Sequence, residues 1–211
     1  MRIISFCTTS DVRLITGLST DDISDDNLNS IISLARKKVM QDVSSEVTDE
    51  QVNIIDSYRE NTIDGSNTTF FVRKSWDWFL FDRDGDGNFD ENDIKVYSYD
   101  ADTDGRTELT VSSVDERGSY VLDSAPATSS SDVITTSYRY SRVSVDNTTL
   151  VQACAFLSAA YAFTRLRADE ADSVSFGALK AMFRGKTFDY YFKSYEVLID
   201  SLKKLPKKVR G

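Results

Sequence analysis

The hydrophobic period changes twice along this chain, and that change limits the fold more than any other feature of the sequence. Leu28, Ile31, Ile32, Ala35, Val39 and Val43 recur every three or four positions, the spacing of one helix face. Ser24 can cap that helix and Asp25 and Asp26 fall in its first turn, which predicts a helix from about Asp25 to Val43. Arg36, Lys37 and Lys38 come late in it, where cations suit the helix dipole. Ahead of it, CTTSDVRLITG predicts a short helix capped by Thr9 and ended by Gly17 in the left-handed conformation. Val47 to Tyr58 is ambiguous and could add a helical turn or two.

The middle of the chain is strand-like. ENTIDGSNTTFFVRKS carries β-branched and aromatic residues on both sides of DGSN, the pattern of a hairpin. Further strands are predicted at Asp93 to Tyr99, Thr107 to Ser113, Ser119 to Leu122 and Val133 to Tyr140, separated by Asp104-Gly105, Arg117-Gly118 and SAPATSSS. KSWDWFLF reads as strand or irregular, with Trp76 and Trp78 on one face if it is a strand. Short strands at this spacing suggest a small antiparallel sandwich or barrel.

The last third returns to the helical period. A long helix opening at Asn147 or Thr148 runs through Leu150, Val151, Cys154, Leu157, Tyr161 and Leu166. Its many alanines leave it apolar nearly all round, the mark of a central, buried helix. A second helical region includes Leu179, Met182 and Phe183, and a third, from about Thr187, aligns Tyr191, Tyr195, Leu198 and Leu202 before Pro206. Neither helical part alone has enough faces to close a core. The expectation is therefore an α+β chain: a helical bundle domain (1–56 and 145–211) interrupted by an inserted small antiparallel β-sandwich or barrel (57–144).

Charge is spread unevenly. The whole chain carries −9, yet Lys180 to Gly211 holds nine Lys/Arg against three acids, and Asp82 to Asp132 fourteen acids against four bases. Two different roles are implied for the acidic middle and the basic end. Asp outnumbers Glu by 26 to 8, which suits either a salt-adapted host or simply a turn-rich chain. Cys7 and Cys154 form neither a disulfide framework nor a zinc motif, and Cys154 reads as a small buried hydrophobe. The opening MRIISFCTTSD is not the pattern of a signal peptide, and Leu150 to Phe163 is short of a membrane span. No membrane association and synthesis in a host cytoplasm are expected. The chain contains no His, which removes the commonest general base and every Ser-His or Cys-His arrangement, and it has no phosphate-binding glycine loop. No enzyme is expected.

One motif carries chemistry. Asp82-Arg83-Asp84-Gly85-Asp86-Gly87-Asn88-Phe89-Asp90-Glu91-Asn92-Asp93 fits a twelve-residue calcium loop. Asp82, Asp84, Asp86, Asp90 and Asp93 stand at positions 1, 3, 5, 9 and 12. Asn88 at position 7 offers its carbonyl, Gly87 permits the sharp turn and Phe89 is the inward anchor. Calcium is a hard cation that takes six to eight oxygens, so this carboxylate density suits it. Position 12 is Asp, as in dockerin-type loops, rather than the Glu of an EF-hand. The bland alternative is an acidic turn without metal. Asp100-Ala-Asp102-Thr-Asp104-Gly105 starts the same pattern, but its twelfth position is Val111, so it reads as an acidic turn.

The order of elements and three local sequences resemble the head–tail connector (adaptor) family of long-tailed viruses of bacteria or archaea. TTSDVRLITGLSTDDISDDNLNSIISLARKKV looks like that family's opening, GSYVLDSAPATSSSDVITTSYRYS like the β element of its larger members, and VDNTTLVQACAFLSAAYAFTRL like its Ala-rich helix. The long β insertion and the acidic loop depart from the smaller members. The resemblance implies a virion structural protein of the neck, a usually dodecameric ring lining the DNA channel. Its implied partners are the portal protein, the next neck or tail protein, other copies of itself and, non-specifically, DNA. It further implies that the C-terminal segment reaches the portal; the apolar face Tyr191, Tyr195, Leu198 and Leu202 is then expected to dock in a groove of the portal or a neighbouring subunit, with Lys203, Lys204, Lys207, Lys208 and Arg210 on an acidic rim. Truncation after Phe188 should then leave a folded protein. The alternatives are a calcium-dependent adhesion or scaffold-binding module, and another neck component such as a stopper or tail-completion protein.

Overall fold

The computed structural model describes residues 2–3, 6–53, 61–74, 78–85, 88–100, 105–127, 133–144, 147–171 and 188–205, of which 2–3 and 167–171 as backbone only. The fold is α+β, with four α-helices and ten strands among the described residues, and every strand pairing is antiparallel. The chain divides into two compact units. One comprises Ser5–Val43 and Asp146–Lys204, the other Met1–Ile4, Ser44–Val145 and Leu205–Gly211.

The first unit is helical. Helix α1 (Thr9–Thr16) is capped by Thr8, not by Thr9 as the sequence suggested. Thr8 is the residue with extended backbone, and it forms a reciprocal box with Asp11: Thr8 N–H donates to the Asp11 carboxylate at 2.7 Å and Asp11 N–H to the Thr8 hydroxyl at 3.3 Å. Gly17 ends α1 at φ +74°, its N–H donating to the Arg13 carbonyl at 2.8 Å. Helix α2 (Asp25–Val43) has the predicted bounds and buries Leu28, Ile31, Ile32, Ala35, Val39 and Met40. Its last turn holds no base, however. Arg36 to Lys38 lie short of the helix end, and Lys38 pairs instead with Asp42 one turn on, at 2.7 Å. Helix α3 (Thr148–Ala171) packs against α1, α2 and α4 (Phe188–Lys203), which is why its alanines are buried on several sides. Asn147 caps it, its side chain accepting from Thr149 N–H at 2.9 Å. The helical region predicted around Leu179, Met182 and Phe183 lies outside the described residues. No helix among the described residues is long and apolar enough to cross a membrane.

The second unit is built on sheets. Its longest strand, β10 (Val133–Ser141), pairs along one edge with β2 (Ser44–Gln51) and along the other with β6 (Ile94–Asp100) and then β4 (Phe79–Phe81); β7 (Gly105–Leu109) extends the sheet beyond β6. A three-stranded sheet has the order β3 (Thr69–Phe71), β9 (Ser119–Leu122), β8 (Val111–Val114), and β1 (Arg2–Ile3) pairs with β5 (Asn88–Phe89). Phe70, Phe81, Ile94, Val96, Tyr120, Ile134 and Tyr138 fill the interior.

Three strand readings are corrected. Residues 47–51, the first part of the ambiguous stretch Val47 to Tyr58, belong to β2, because pairing with β10 gives their backbone groups partners that an isolated extra turn would lack; residues 54–58 lie outside the described residues. Asp49, at φ +52°, sits where the register with β10 shifts, its N–H held by the Ser137 hydroxyl at 3.0 Å. Thr107 to Ser113 is not one strand: it breaks at Thr110 into β7 and β8, which belong to different sheets. The DGSN segment turns, with Gly65 at φ +76°, but among the described residues only its second arm is a strand. In place of a first strand, the Asn61 side-chain amide brackets Phe71, donating to its carbonyl at 2.8 Å and accepting from its N–H at 2.9 Å.

Candidate metal centre

The loop from Asp82 to Asp93 leaves β4 and ends in a 3-10 turn (Glu91–Asp93) that enters β6. Both ends of the loop are thereby anchored in strands that pair with β10. Among the described residues a strand, β4, and not a helix leads into it, so the loop is not arranged as in an EF-hand.

Backbone N–H groups fix the carboxylates. Asp82 Oδ1 accepts from Gly85 N–H at 2.6 Å, and Gly85 takes φ +79°, a conformation open to glycine at little steric expense. Asp93 Oδ1 accepts from Arg83 N–H and, more weakly, from Asp84 N–H at 3.4 Å, while its Oδ2 accepts from Asp90 N–H at 3.0 Å. Asp90 in turn caps the 3-10 turn through Asn92 N–H at 2.9 Å. One carboxylate oxygen each from Asp82, Asp84 and Asp93 lies within 4.8 Å of the others. Asp82 is 0% exposed and Asp93 3%. Burial pushes the Asp93 carboxyl up to about 7, and the nearby Asp82 charge adds to it, against the pull of the N–H donors. The loop's own base, Arg83, forms an ion pair with Glu46 of β2 at 3.3 Å.

Two buried acids beside a third repel one another unless a proton or a cation intervenes. Asp93 Oδ1 accepts two N–H groups and Oδ2 one, so these bonds leave a lone pair on Oδ2. The donor set is all hard oxygen, with no nitrogen or sulfur, which fits calcium and not zinc. The three acids are also those at loop positions 1, 3 and 12.

The remaining predicted ligands fare differently. Asp86 and Gly87 lie outside the described residues. Asp90 is not drawn into the converging group, since capping employs its side chain; position 9 of such loops often reaches its ion through water. Asn88 falls in β5, opposite Ile3, and Phe89 beside it is buried as the inward anchor. Of the second acidic stretch, Asp100 ends β6 opposite Gly105 of β7; Asp102 and Asp104 lie outside the described residues.

The side chains expected to form a docking face on α4 are largely used inside the helical unit. Tyr191, Tyr195 and Leu202 are buried in the helical unit itself. Tyr191 stacks on Phe163 at 5.4 Å and donates to the Ile15 carbonyl at 3.1 Å, and the Tyr195 hydroxyl donates to Asp42. A free apolar helix face would be costly, and α3 and α2 already cover it. Leu198 is half-buried and lines a shallow groove with Phe156, Tyr190 and Val197. Lys203 and Lys204 stand at the end of α4, while Lys207, Lys208 and Arg210 lie outside the described residues, as does Trp76. Trp78 is half-buried, edge-on to Tyr140 at 5.1 Å with the Arg142 guanidinium over its ring. The sequence reading missed the second apolar stripe of α4, Tyr190 and Val197, although their spacing of seven was a readable sign.

No model of a known protein family matches this chain, and no curated protein matches its sequence.

Proposed function

We propose that the chain is a non-enzymatic structural protein of a tailed virus, a head–tail adaptor that forms a ring between portal and tail, with one calcium ion held structurally by the acidic loop. On this reading the molecule is a helical bundle domain interrupted by a small antiparallel β domain. The observation that carries it is the make-up of the helical unit from two chain pieces, Ser5–Val43 and Asp146–Lys204, with the sheet-forming residues between them in sequence. That is the order of elements in the adaptor resemblance.

The exposed apolar side chains of the helical unit support an assembly role. Leu14 is 85% exposed, Val197 69% and Leu34 61%, on three different helices. Such side chains, brought together across subunits, are the usual means of closing a ring. With the old aromatic face of α4 buried, the partner surface of α4 is assigned to Tyr190, Val197 and Leu198.

Asp82, Asp84 and Asp93 would hold the ion, with Asp86, the Asn88 carbonyl and Asp90 or a water at Asp90 completing its shell. Bound there, calcium would neutralise the buried acids and tie the start of the loop to its end. The protein's own part is to fix these oxygens before the ion arrives, through the N–H groups of Arg83, Asp84, Gly85 and Asp90.

The test of the adaptor reading is assembly. Purified protein mixed with portal should give a complex of defined ring stoichiometry by native mass spectrometry. Val197→Asp should abolish the complex while circular dichroism stays unchanged. A protein that never associates with portal, alone or on DNA-filled heads, contradicts the reading.

A further inference from the structure

Cys7 and Cys154 are 147 positions apart in sequence, yet their sulfurs lie 3.2 Å apart inside the helical unit. Both thiols are free and both are buried. Cys7 sits in the irregular segment 6–8 that leads into α1, and Cys154 is in the second turn of α3. The Ser158 hydroxyl is 3.7 Å from the Cys7 sulfur, one helical turn beyond Cys154. A disulfide requires an approach of roughly 1.2 Å from this distance, given a bond of about 2.05 Å. A side-chain rotation or a small shift of segment 6–8 supplies that.

We propose that Cys7 and Cys154 are a redox pair that closes to an intrachain disulfide when the protein meets hydrogen peroxide, joining the two chain pieces of the helical unit. The two pieces are otherwise held to each other by packing and by hydrogen bonds such as those of Tyr191 to Ile15 and Tyr195 to Asp42, and the bond would close a covalent ring containing all of residues 44–145. The chemistry is balanced with the peroxide as oxidant. The Cys154 thiolate attacks one peroxide oxygen, the O–O bond breaks, and hydroxide leaves and takes the thiol's proton as water. The sulfenic acid so formed on Cys154 is attacked at sulfur by Cys7. The S–O bond breaks, and the departing hydroxide takes the Cys7 proton as a second water. Two thiols are oxidised and one peroxide is reduced.

The surroundings favour this order of attack. The Cys7 S–H donates to the Cys154 sulfur, which lowers the Cys154 thiol and raises that of Cys7; Cys7's own buried site raises it further, and the Arg36 charge also favours the Cys154 thiolate. Thr8, next to Cys7 in the chain, is exposed, which places the pair close to solvent and to a reagent as small as peroxide. The inference stands independently of the calcium site and of the adaptor reading.

The experiment treats the full-length reduced protein with hydrogen peroxide, quenches with an alkylating agent and digests it. A Cys7–Cys154 cross-linked peptide is expected, with the denatured chain running faster on a non-reducing gel and both effects reversed by dithiothreitol. The melting temperature of the oxidised protein should rise by at least about 5 °C, because the bond closes a very long loop. Cys7→Ser should stop at the sulfenic acid, with dimedone trapping at Cys154 raised roughly tenfold over wild type. Three outcomes overturn the proposal: both thiols still alkylated in the denatured chain, sulfinic acid on Cys154 without a cross-link, or disulfides only between chains. The wild-type arm decides even if the Cys7→Ser protein does not fold.

Discussion

The two units handle buried acid in opposite ways. In the helical unit, Asp42 lies under α4 and receives the Lys38 ammonium through both oxygens, at 2.7 and 2.8 Å, together with the Tyr195 hydroxyl. Burial pushes its carboxyl up, but these donors and the charges of Lys38 and Lys203 outweigh that and hold it below the usual carboxylate range. In the sheet-bearing unit, Asp93 is more deeply buried and has backbone donors but a second carboxylate as its charged neighbour, so its carboxyl is pushed up to about 7. Asp42 is met by a cation of its own unit; Asp93 is met by backbone N–H groups and another acid, and it is there that the proposed ion would bind.

The contrast can be broken first in the helical unit, where the largest effect is expected. Truncation after Phe188 removes Tyr191, Tyr195, Ile199 and Leu202 from the core, so the helical unit should lose cooperative unfolding in calorimetry. Tyr191→Ala alone should destabilise it by about 3–5 kcal/mol, as deletion of a large buried aromatic does. Neither change should alter the response of the sheet-bearing unit to calcium. A truncated protein that melts as wild type would return α4 to the role of a free docking arm.

Next comes the metal itself. Calcium at 100 times its dissociation constant should stabilise the sheet-bearing unit by about 2.7 kcal/mol through mass action. Asp82→Ala with Asp86→Ala, or chelation, should remove the gain, with the helical transition unmoved in the same scans.

Asp42 sharpens the comparison by pH. A carboxyl lowered by folding contributes stability that is complete above its unfolded value of about 3.9 and is lost as pH falls through the folded value. Asp42→Asn should therefore lower the stability of the helical unit by about 1–2 kcal/mol at neutral pH. It should also flatten the decline in acid, read from urea titrations at stepped pH. The smallest effect is expected at Gly85. Gly85→Ala meets no atom within 4 Å, so only the positive φ opposes it, by roughly 1 kcal/mol, seen as weaker calcium affinity.

Local signals were legible in the sequence wherever one segment decides its own structure. The bounds of α2, the stop at Gly17, strand β9 and the inward anchor Phe89 all follow from period, capping or turn chemistry. Asp82, Asp84 and Asp93 were readable as a group because loop spacing alone brings them together. What failed depended on partners distant in sequence. Residues 47–51 become a strand only because β10 is there to pair with. Thr110 breaks a strand because the two halves serve different sheets. The apolar face of α4 was visible, but that Tyr191 and Tyr195 spend it on Phe163, Ile15 and Asp42 was not. Cys7 and Cys154 gave no sign in sequence of lying side by side.

The claim that the acidic loop is a cation site on which the sheet-bearing unit depends is tested most directly by hydrogen exchange, read peptide by peptide with and without calcium. Exchange should slow through residues 79–96 and in the β10 segment paired with them, with residues 9–43 and 148–166 unchanged. Identical exchange of the loop in saturating calcium and in chelator would contradict the claim and leave Asp82, Asp84 and Asp93 as an acidic turn.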